Sequence, residues 1–238
     1  KNMIKKAMIL AAGFGKRIHP LTLKHPKPLL KIGKETLLSN TLKFLKLFGI
    51  KQVVINVHYL GEQIVDYISR NKFDLTVTAV KEKDKILDTG GGVLNAIQHF
   101  SNLPFLIINP DTIWNLHYLK ELKLMEKSFF ENKKNKCSLL VVNKKKSFDQ
   151  SFKGDFNLEN NLISRKNRDD LNYIYTGLQI IKPEVFSDLD ARVFSINRIW
   201  DKLIEANELH GIESNIDFLH VSTLDIYKSL LEKNLIIK

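Results

Sequence analysis

Four times in the first 142 residues a short run of β-branched and aliphatic side chains is followed by a stretch with helical spacing. A chain with that rhythm buries itself by aligning its strands in a mostly parallel sheet and covering both faces with helices, so the fold class is α/β. KAMIL (6–10), QVVIN (52–56), LTVTAV (75–80), PFLIIN (104–109) and CSLLVV (137–142) read as strands. LLSNTLKFLKLF (37–48) places Leu38, Leu42, Leu45 and Phe48 on one helical face, and Gly49 supplies a left-handed stop. Helices are also expected over 61–70, GGVLNAIQHF (91–100) and 116–130. Beyond residue 142 the rhythm breaks into charged loops and short strands up to YIYTGLQII (173–181), which suggests a smaller subdomain over 143–238 within a single domain of 1–238. The chain closes with FSINRIWDKLIEA as a helix, FLHV (218–221) as a short strand and TLDIYKSLLEK as a last helix.

With 238 residues, 44% of them hydrophobic, one sizeable core is expected. Apolar runs such as FLII (105–108) are far below the roughly 20 residues of a membrane span, and the opening KNMIKKAMIL runs into a glycine loop, as a first strand does and a signal peptide does not. Lys1 is no natural start, which points to Met3 or a trimmed terminus. The lone Cys137 has no internal disulfide partner, and its place at the head of an apolar run predicts a buried, inert thiol in a reducing cytoplasm. Lys and Arg outnumber acids 37 to 26, a formal charge of +11 that favours anionic ligands. The lysine runs KKNK (133–136) and KKK (144–146) lack interleaved aromatics, which argues for solvated loops and against a nucleic-acid platform.

The first strand empties into LAAGFGKRIHPLTLKHPKPLL (10–30). Gly13 and Gly15 let backbone approach phosphates, Ala11 and Ala12 leave room for a flat base, and Arg17 and Lys27 bring positive charge to the same place. Charge neutralisation is the chief service a protein renders to phosphoryl transfer. The string is not a Walker loop and lacks the third glycine of a dinucleotide fingerprint. Asp111 follows the most apolar strand at its carboxyl end, where open α/β sheets hold their ligands. Trp114 and Trp200 read as packing residues.

LAAGxGxRxxPxTxxxPKPL is the signature of the sugar nucleotidyltransferase family, and the chain matches every fixed position of it. LDTGGGVLNAI (87–97), NPD (109–111), GDF (154–156), YTGLQIIKPEVF (175–186) and HVSTLDIY (220–227) fall in the order of the short uridylyltransferases of that family, so the resemblance covers nearly the whole chain. It implies a Rossmann-like, GT-A-like nucleotidyltransferase fold whose later part binds the acceptor. It implies transfer of UMP from UTP to a sugar 1-phosphate, N-acetylmuramate 1-phosphate among the candidates, with release of pyrophosphate. By the same resemblance Leu10, Ala11, Ala12, Gly13, Gly15 and Asn109 hold the nucleotide, and Thr89, Gly90, Gly91 and Gly92 close on it. Arg17 grips the triphosphate, Lys27 bridges the α-phosphate and the attacking phosphate, and Asp111 holds Mg²⁺. Asp155, Thr176, Gly177 and His220 are implied on the sugar-phosphate side. A nucleoside triphosphate and a sugar 1-phosphate are the expected partners, with no nucleic acid or membrane, in a monomer or small homo-oligomer.

Two positions depart from the family's pattern. Relatives carry a second metal-binding aspartate in V-D-x-G-T, where this chain has His220, Val221, Ser222 and Thr223. One carboxylate with substrate phosphates suffices for Mg²⁺, whereas an imidazole on the metal favours Mn²⁺ or softer ions. Pro110 removes a backbone donor just before Asp111. Guanylyl transfer to mannose 1-phosphate, thymidylyl transfer to glucose 1-phosphate, cytidylyl transfer, and a nucleotide-binding regulator without turnover are the alternatives.

Overall fold

A computed structural model describes residues 3–189 and 192–234. In chain order, β1 (Lys6–Leu10) leads through the glycine loop to a small hairpin, β2 (Lys31–Ile32) and β3 (Glu35–Thr36). Then come α1 (Leu37–Phe48), β4 (Gln52–Val57), α2 (Gly61–Arg70), β5 (Thr76–Lys81), α3 (Asp88–Ala96), β6 (Phe105–Ile108), α4 (Tyr118–Glu131) and β7 (Cys137–Asn143). The remainder supplies β8 (Asn157–Glu159), β9 (Leu162–Ser164), β10 (Tyr173–Ile181), α5 (Asn197–Glu205), β11 (Leu209–Ser214) and α6 (Leu224–Glu232). Among the described residues no helix is long and apolar enough to cross a membrane.

Among the described residues nine strands form one sheet in the order β5-β4-β1-β6-β10-β7-β11-β9-β8. The mostly parallel α/β sheet expected from the sequence is present: β1, β4, β5 and β6 pair in parallel, β7 pairs in parallel with β11, and β9 and β10 are the strands that run the other way. β10 inserts between β6 and β7, so the described residues after 142 complete the central sheet.

The pleat sorts the core. Ala7 and Ile9 of β1, with Leu106 and Ile108 of β6, pack under α1 and α4 against Leu38, Leu42, Trp114 and Tyr118. Met8, Phe105 and Ile107 point the other way, onto Val93 and Ala96 of α3 and Ile199, Trp200 and Leu203 of α5. Local chemistry agrees with this plan at α1. Thr36 Oγ1 accepts from the Ser39 amide at 3.0 Å, Ser39 Oγ accepts from the Thr36 amide at 2.9 Å, and Gly49 ends the helix at φ 110°.

Two expectations need correction. FLHV makes only isolated bridges, Ser147 with Phe218 and Thr112 with His220, and the strand near the end is β11 (LHGIES). Its histidine, glycine and glutamate hid it, yet it pairs in parallel with β7 along its whole length. The resemblance implies that Gly90, Gly91 and Gly92 close on the nucleotide, but they lie buried in the first turns of α3, a helix that begins earlier than the expected 91–100. A Cβ at Gly90 would meet the Phe194 ring at 2.3 Å and one at Gly91 the Arg192 carbonyl oxygen at 2.2 Å, so these glycines serve helix packing.

A bulge between Tyr175 and Leu178 kinks β10 beside the end of β6. Gly177 sits there at φ 96°, and a Cβ on it would lie 2.9 Å from Asn109 Cβ. Gly177→Ala should therefore cost about 1–3 kcal/mol of stability, read as a lower urea midpoint. An unchanged midpoint would mean that this close approach is not required.

Candidate active site

The glycine loop is built to leave space. Ala11 and Ala12 are buried, whereas a Cβ on Gly13 would meet no protein atom within 4 Å, and Gly13 faces open room. Gly15 needs its own freedom, with φ 63° and Thr22 Cγ2 3.0 Å from where a Cβ would stand. Thr22 Oγ1 donates to Gly15 O at 2.7 Å, Tyr59 Oη to Thr22 O at 2.7 Å and Gln63 Nε2 to Lys24 O at 2.9 Å, so the loop is held in shape from β4 and α2. Over it opens a cavity of about 370 Å³, within the range of small-molecule sites. Leu10, Ala11, Ala12, Gly13, Gly15, Arg17, Lys27, Thr89, Asn109 and Asp111 line it, together with Asn56, Glu82 and Asp88.

Asp111 is bracketed on two sides. β10 grips the segment before and after it, with the Asn109 amide donating to Gly177 O at 2.8 Å and Thr112 Oγ1 to Thr176 O at 2.7 Å. The 219–221 segment grips it from the other side, with the Val221 amide donating to Asp111 O at 2.8 Å and the Ile113 amide to Leu219 O at 2.9 Å. Trp114 Nε1 donates to Asn109 O at 2.9 Å and closes the bend around Pro110. This bracket delivers three charged or ionisable groups to one place. Lys27 Nζ donates to Asp111 Oδ2 at 2.7 Å, and His220 Nε2 stands 3.2 Å from Oδ1, off the line of a hydrogen bond. Burial pushes the Asp111 carboxyl up, but the charges of His220 and Lys27 outweigh it and hold the group well below the usual carboxylate range.

A second cavity adjoins the first and shares Leu10, Asp88, Thr89 and Asn109 with it. Asp155, Arg165, Tyr175, Gln179, Trp200, Phe152, Phe218 and His220 line it. Asp155 Oδ2 accepts from the Tyr175 amide at 2.9 Å, and burial raises its carboxyl despite that bond and the nearby Arg165. Arg165 is held by Asp201 and Asn197 and lies over the Phe156 ring at 4.7 Å. Lys27 and Asp111 on one side and His220 on the other thus mark the partition between the two chambers.

The structure brings together Leu10, Ala11, Ala12, Gly13, Gly15, Arg17, Lys27, Thr89, Asn109 and Asp111 in one chamber and Asp155 and His220 in the other. It keeps Gly90–Gly92, Thr176 and Gly177 out of both linings; Thr176 is fully buried, with Oγ1 donating to Leu140 O at 2.7 Å. Cys137 is buried as expected, and that burial pushes its thiol up. Trp200 packs in the core but also reaches the second cavity. Asn56 and Glu82 went unnoticed in the sequence. Asn56 Oδ1 accepts from the Ala11 amide at 2.8 Å, Asn56 Nδ2 donates to Glu82 Oε1 at 2.8 Å, and Glu82 Oε2 accepts from the Leu87 amide at 2.9 Å. Both sit at the carboxyl ends of strands, the same signal that marked Asp111.

Comparisons with known proteins agree with this architecture. The sequence model of a family described as "Nucleotidyl transferase" matches residues 6–152, more than half of the chain. The chain is 27% identical over 222 residues to an N-acetylmuramate alpha-1-phosphate uridylyltransferase of Caulobacter vibrioides, covering 91% of each. It is 31% identical over 191 residues to the Neisseria meningitidis serogroup B protein of the same name, covering 78% of this chain and 79% of that one. The crystal structure of HddC from Yersinia pseudotuberculosis superposes with a TM-score of 0.75 at 20% identity, over 97% of this chain and 99% of that one, which speaks for the fold. On these grounds the chain belongs to the nucleotidyl transferase family.

Proposed function

We propose that the protein transfers UMP from UTP to a sugar 1-phosphate and releases pyrophosphate. The observation that carries this function is the Lys27–Asp111–His220 line on the partition between two cavities, one lined by the glycine loop and one by aromatic and polar side chains. Two phosphorylated reactants repel each other, and a fixed cation between them lowers the cost of bringing them to in-line distance. In this account the nucleotide lies over Ala11–Gly13, Arg17 and Lys27 neutralise its phosphates, and the sugar lies beside Asp155 and Tyr175. The attacking phosphate oxygen is ionised at neutral pH, so no general base is required. The choice of UTP rests on the two named relatives. Pyrophosphate release measured with four nucleoside triphosphates against glucose, mannose, N-acetylglucosamine and N-acetylmuramate 1-phosphates tests it. Turnover that is fastest with GTP and mannose 1-phosphate would replace it by guanylyl transfer, and binding without turnover by a regulatory role.

Residues at the partition fit a divalent metal that arrives with the triphosphate. Among the described residues Asp111 Oδ1 is a buried oxygen with no hydrogen-bond donor, His220 Nδ1 is likewise without a partner, and no three metal-ligating side chains cluster. Asp111 would hold the ion with His220 beside it, and the ion would supply further charge neutralisation. An aspartate at position 220 adds an oxygen ligand and removes a nitrogen, so His220→Asp should raise activity with Mg²⁺ relative to Mn²⁺. Identical Mg²⁺ and Mn²⁺ titrations in the two proteins would remove His220 from the metal.

A further inference from the structure

Gln179 is a polar residue in the middle of the sheet, 1% exposed, on a strand whose neighbours Leu178, Ile180 and Ile181 are all fully buried. A carboxamide placed there costs stability unless its hydrogen bonds are made, and here they are. Trp200 Nε1 donates to Gln179 Oε1 at 3.1 Å, Cys137 Sγ donates to the same oxygen at 3.4 Å, and Gln179 Nε2 donates to Tyr175 Oη at 3.0 Å. Because an indole N–H only donates, the oxygen must face Trp200 and the amide nitrogen must face Tyr175. Tyr175 Oη therefore accepts from Gln179 and keeps its own proton to give away. None of the hydrogen bonds among the described residues takes that proton, and Tyr175, Gln179 and Trp200 all line the second cavity.

We propose that Gln179 is a positioning residue for the sugar phosphate: it orients Tyr175 so that the phenol donates a hydrogen bond to an acceptor oxygen on the sugar, while Trp200 is held as the wall behind it. This rests on the function proposed above, with the second cavity taking the sugar. Burial and the neighbouring Cys137 push the Tyr175 phenol well above its ordinary range, so it keeps its proton at any working pH. Trp200 fixes which way the Gln179 amide faces, and the amide sets the polarity of the Tyr175 hydroxyl, which makes the role of Gln179 testable. In Gln179→Glu the carboxylate still accepts from Trp200 but now also draws the Tyr175 proton away from the cavity. In Gln179→Met the packing volume is kept and the orienting bonds are lost.

The experiment is steady-state kinetics of the wild type, Tyr175→Phe, Gln179→Met, Gln179→Glu and the Gln179→Met/Tyr175→Phe pair, using whichever sugar 1-phosphate of the panel above gives most pyrophosphate. Each single variant should raise KM for the sugar phosphate about three- to tenfold, the worth of one hydrogen bond, with KM for UTP within twofold of wild type. The double variant should be no worse than Tyr175→Phe, because both changes remove the same bond. Isothermal titration of the same sugar 1-phosphate into each variant reads binding without turnover and keeps the test alive for a slow variant. A sugar-phosphate KM unchanged in Tyr175→Phe and Gln179→Met, or equal rises in both substrates' KM values, overturns the inference while wild-type turnover leaves the proposed function standing. A wild type silent with every pair overturns the proposed function and this inference with it.

Discussion

Lys27→Ala should lower turnover by about a hundredfold or more, the usual cost of losing a fixed charge that stabilises a transition state, with little change in the melting temperature. Lys27 reaches its place from the short turn after the glycine loop, and its ammonium lies 2.7 Å from Asp111 on the wall of the first cavity. The pair is only partly buried, with side-chain exposures of 14% and 22%, so water screens part of its contribution to stability while a charge developing between two phosphates lies directly in its field. Asp111→Asn should cause a loss of similar size. It keeps the shape of the side chain and removes the charge that Lys27 and His220 both face. Pyrophosphate release at saturating substrates reads both variants, and thermal unfolding shows that each still folds. Near-normal rates in the two together would mean that the chemistry happens elsewhere.

Trp114→Ala should cost about 3–5 kcal/mol of stability, the range for large aromatic truncations in a close-packed core. Trp114 is 1% exposed, stacks on Phe44 with ring centroids 5.7 Å apart and meets Tyr118 edge-on at 5.0 Å. It also carries the Nε1 bond to Asn109 O that closes the bend in front of Asp111. Trp114→Phe separates the two roles, since it keeps most of the packing and drops the bond. That variant should lose only about 1 kcal/mol, while its turnover falls because the Asn109–Asp111 segment is less firmly held. Urea denaturation with parallel kinetics checks both, and a Trp114→Ala protein as stable as wild type would show that the α1–α4 face of the core is not close-packed around this ring.

The sheet was legible because apolar runs of strand length are hard to place anywhere else, and α1, with both ends capped, falls at the residues its spacing indicates. Direction was harder. β10 reads as an ordinary apolar strand, and nothing in YIYTGLQII announces that it inserts antiparallel between β6 and β7. β11 escaped because its polar alternation is that of a strand near a sheet edge, covered on one side by the short β9. At the candidate site, the residues marked by a strand's carboxyl end or by the loop string lie where the cavities open. Those that were missed are held by partners distant in sequence: Asn56 by the Ala11 amide, Arg165 by Asp201, and Gln179 by Trp200. A glycine run suits close approach to a ligand and close helix packing equally, and at Gly90 and Gly91 the positions of Phe194 and Arg192 show the packing.

A crystal structure with a UDP-sugar bound would show where both reactants sit. The uracil should lie over Ala11–Gly13, the two phosphates beside Lys27 and Asp111, and the sugar in the chamber of Asp155 and Tyr175. Density for the nucleotide in any other part of the molecule, with the glycine-lined cavity holding only solvent, would contradict this placement.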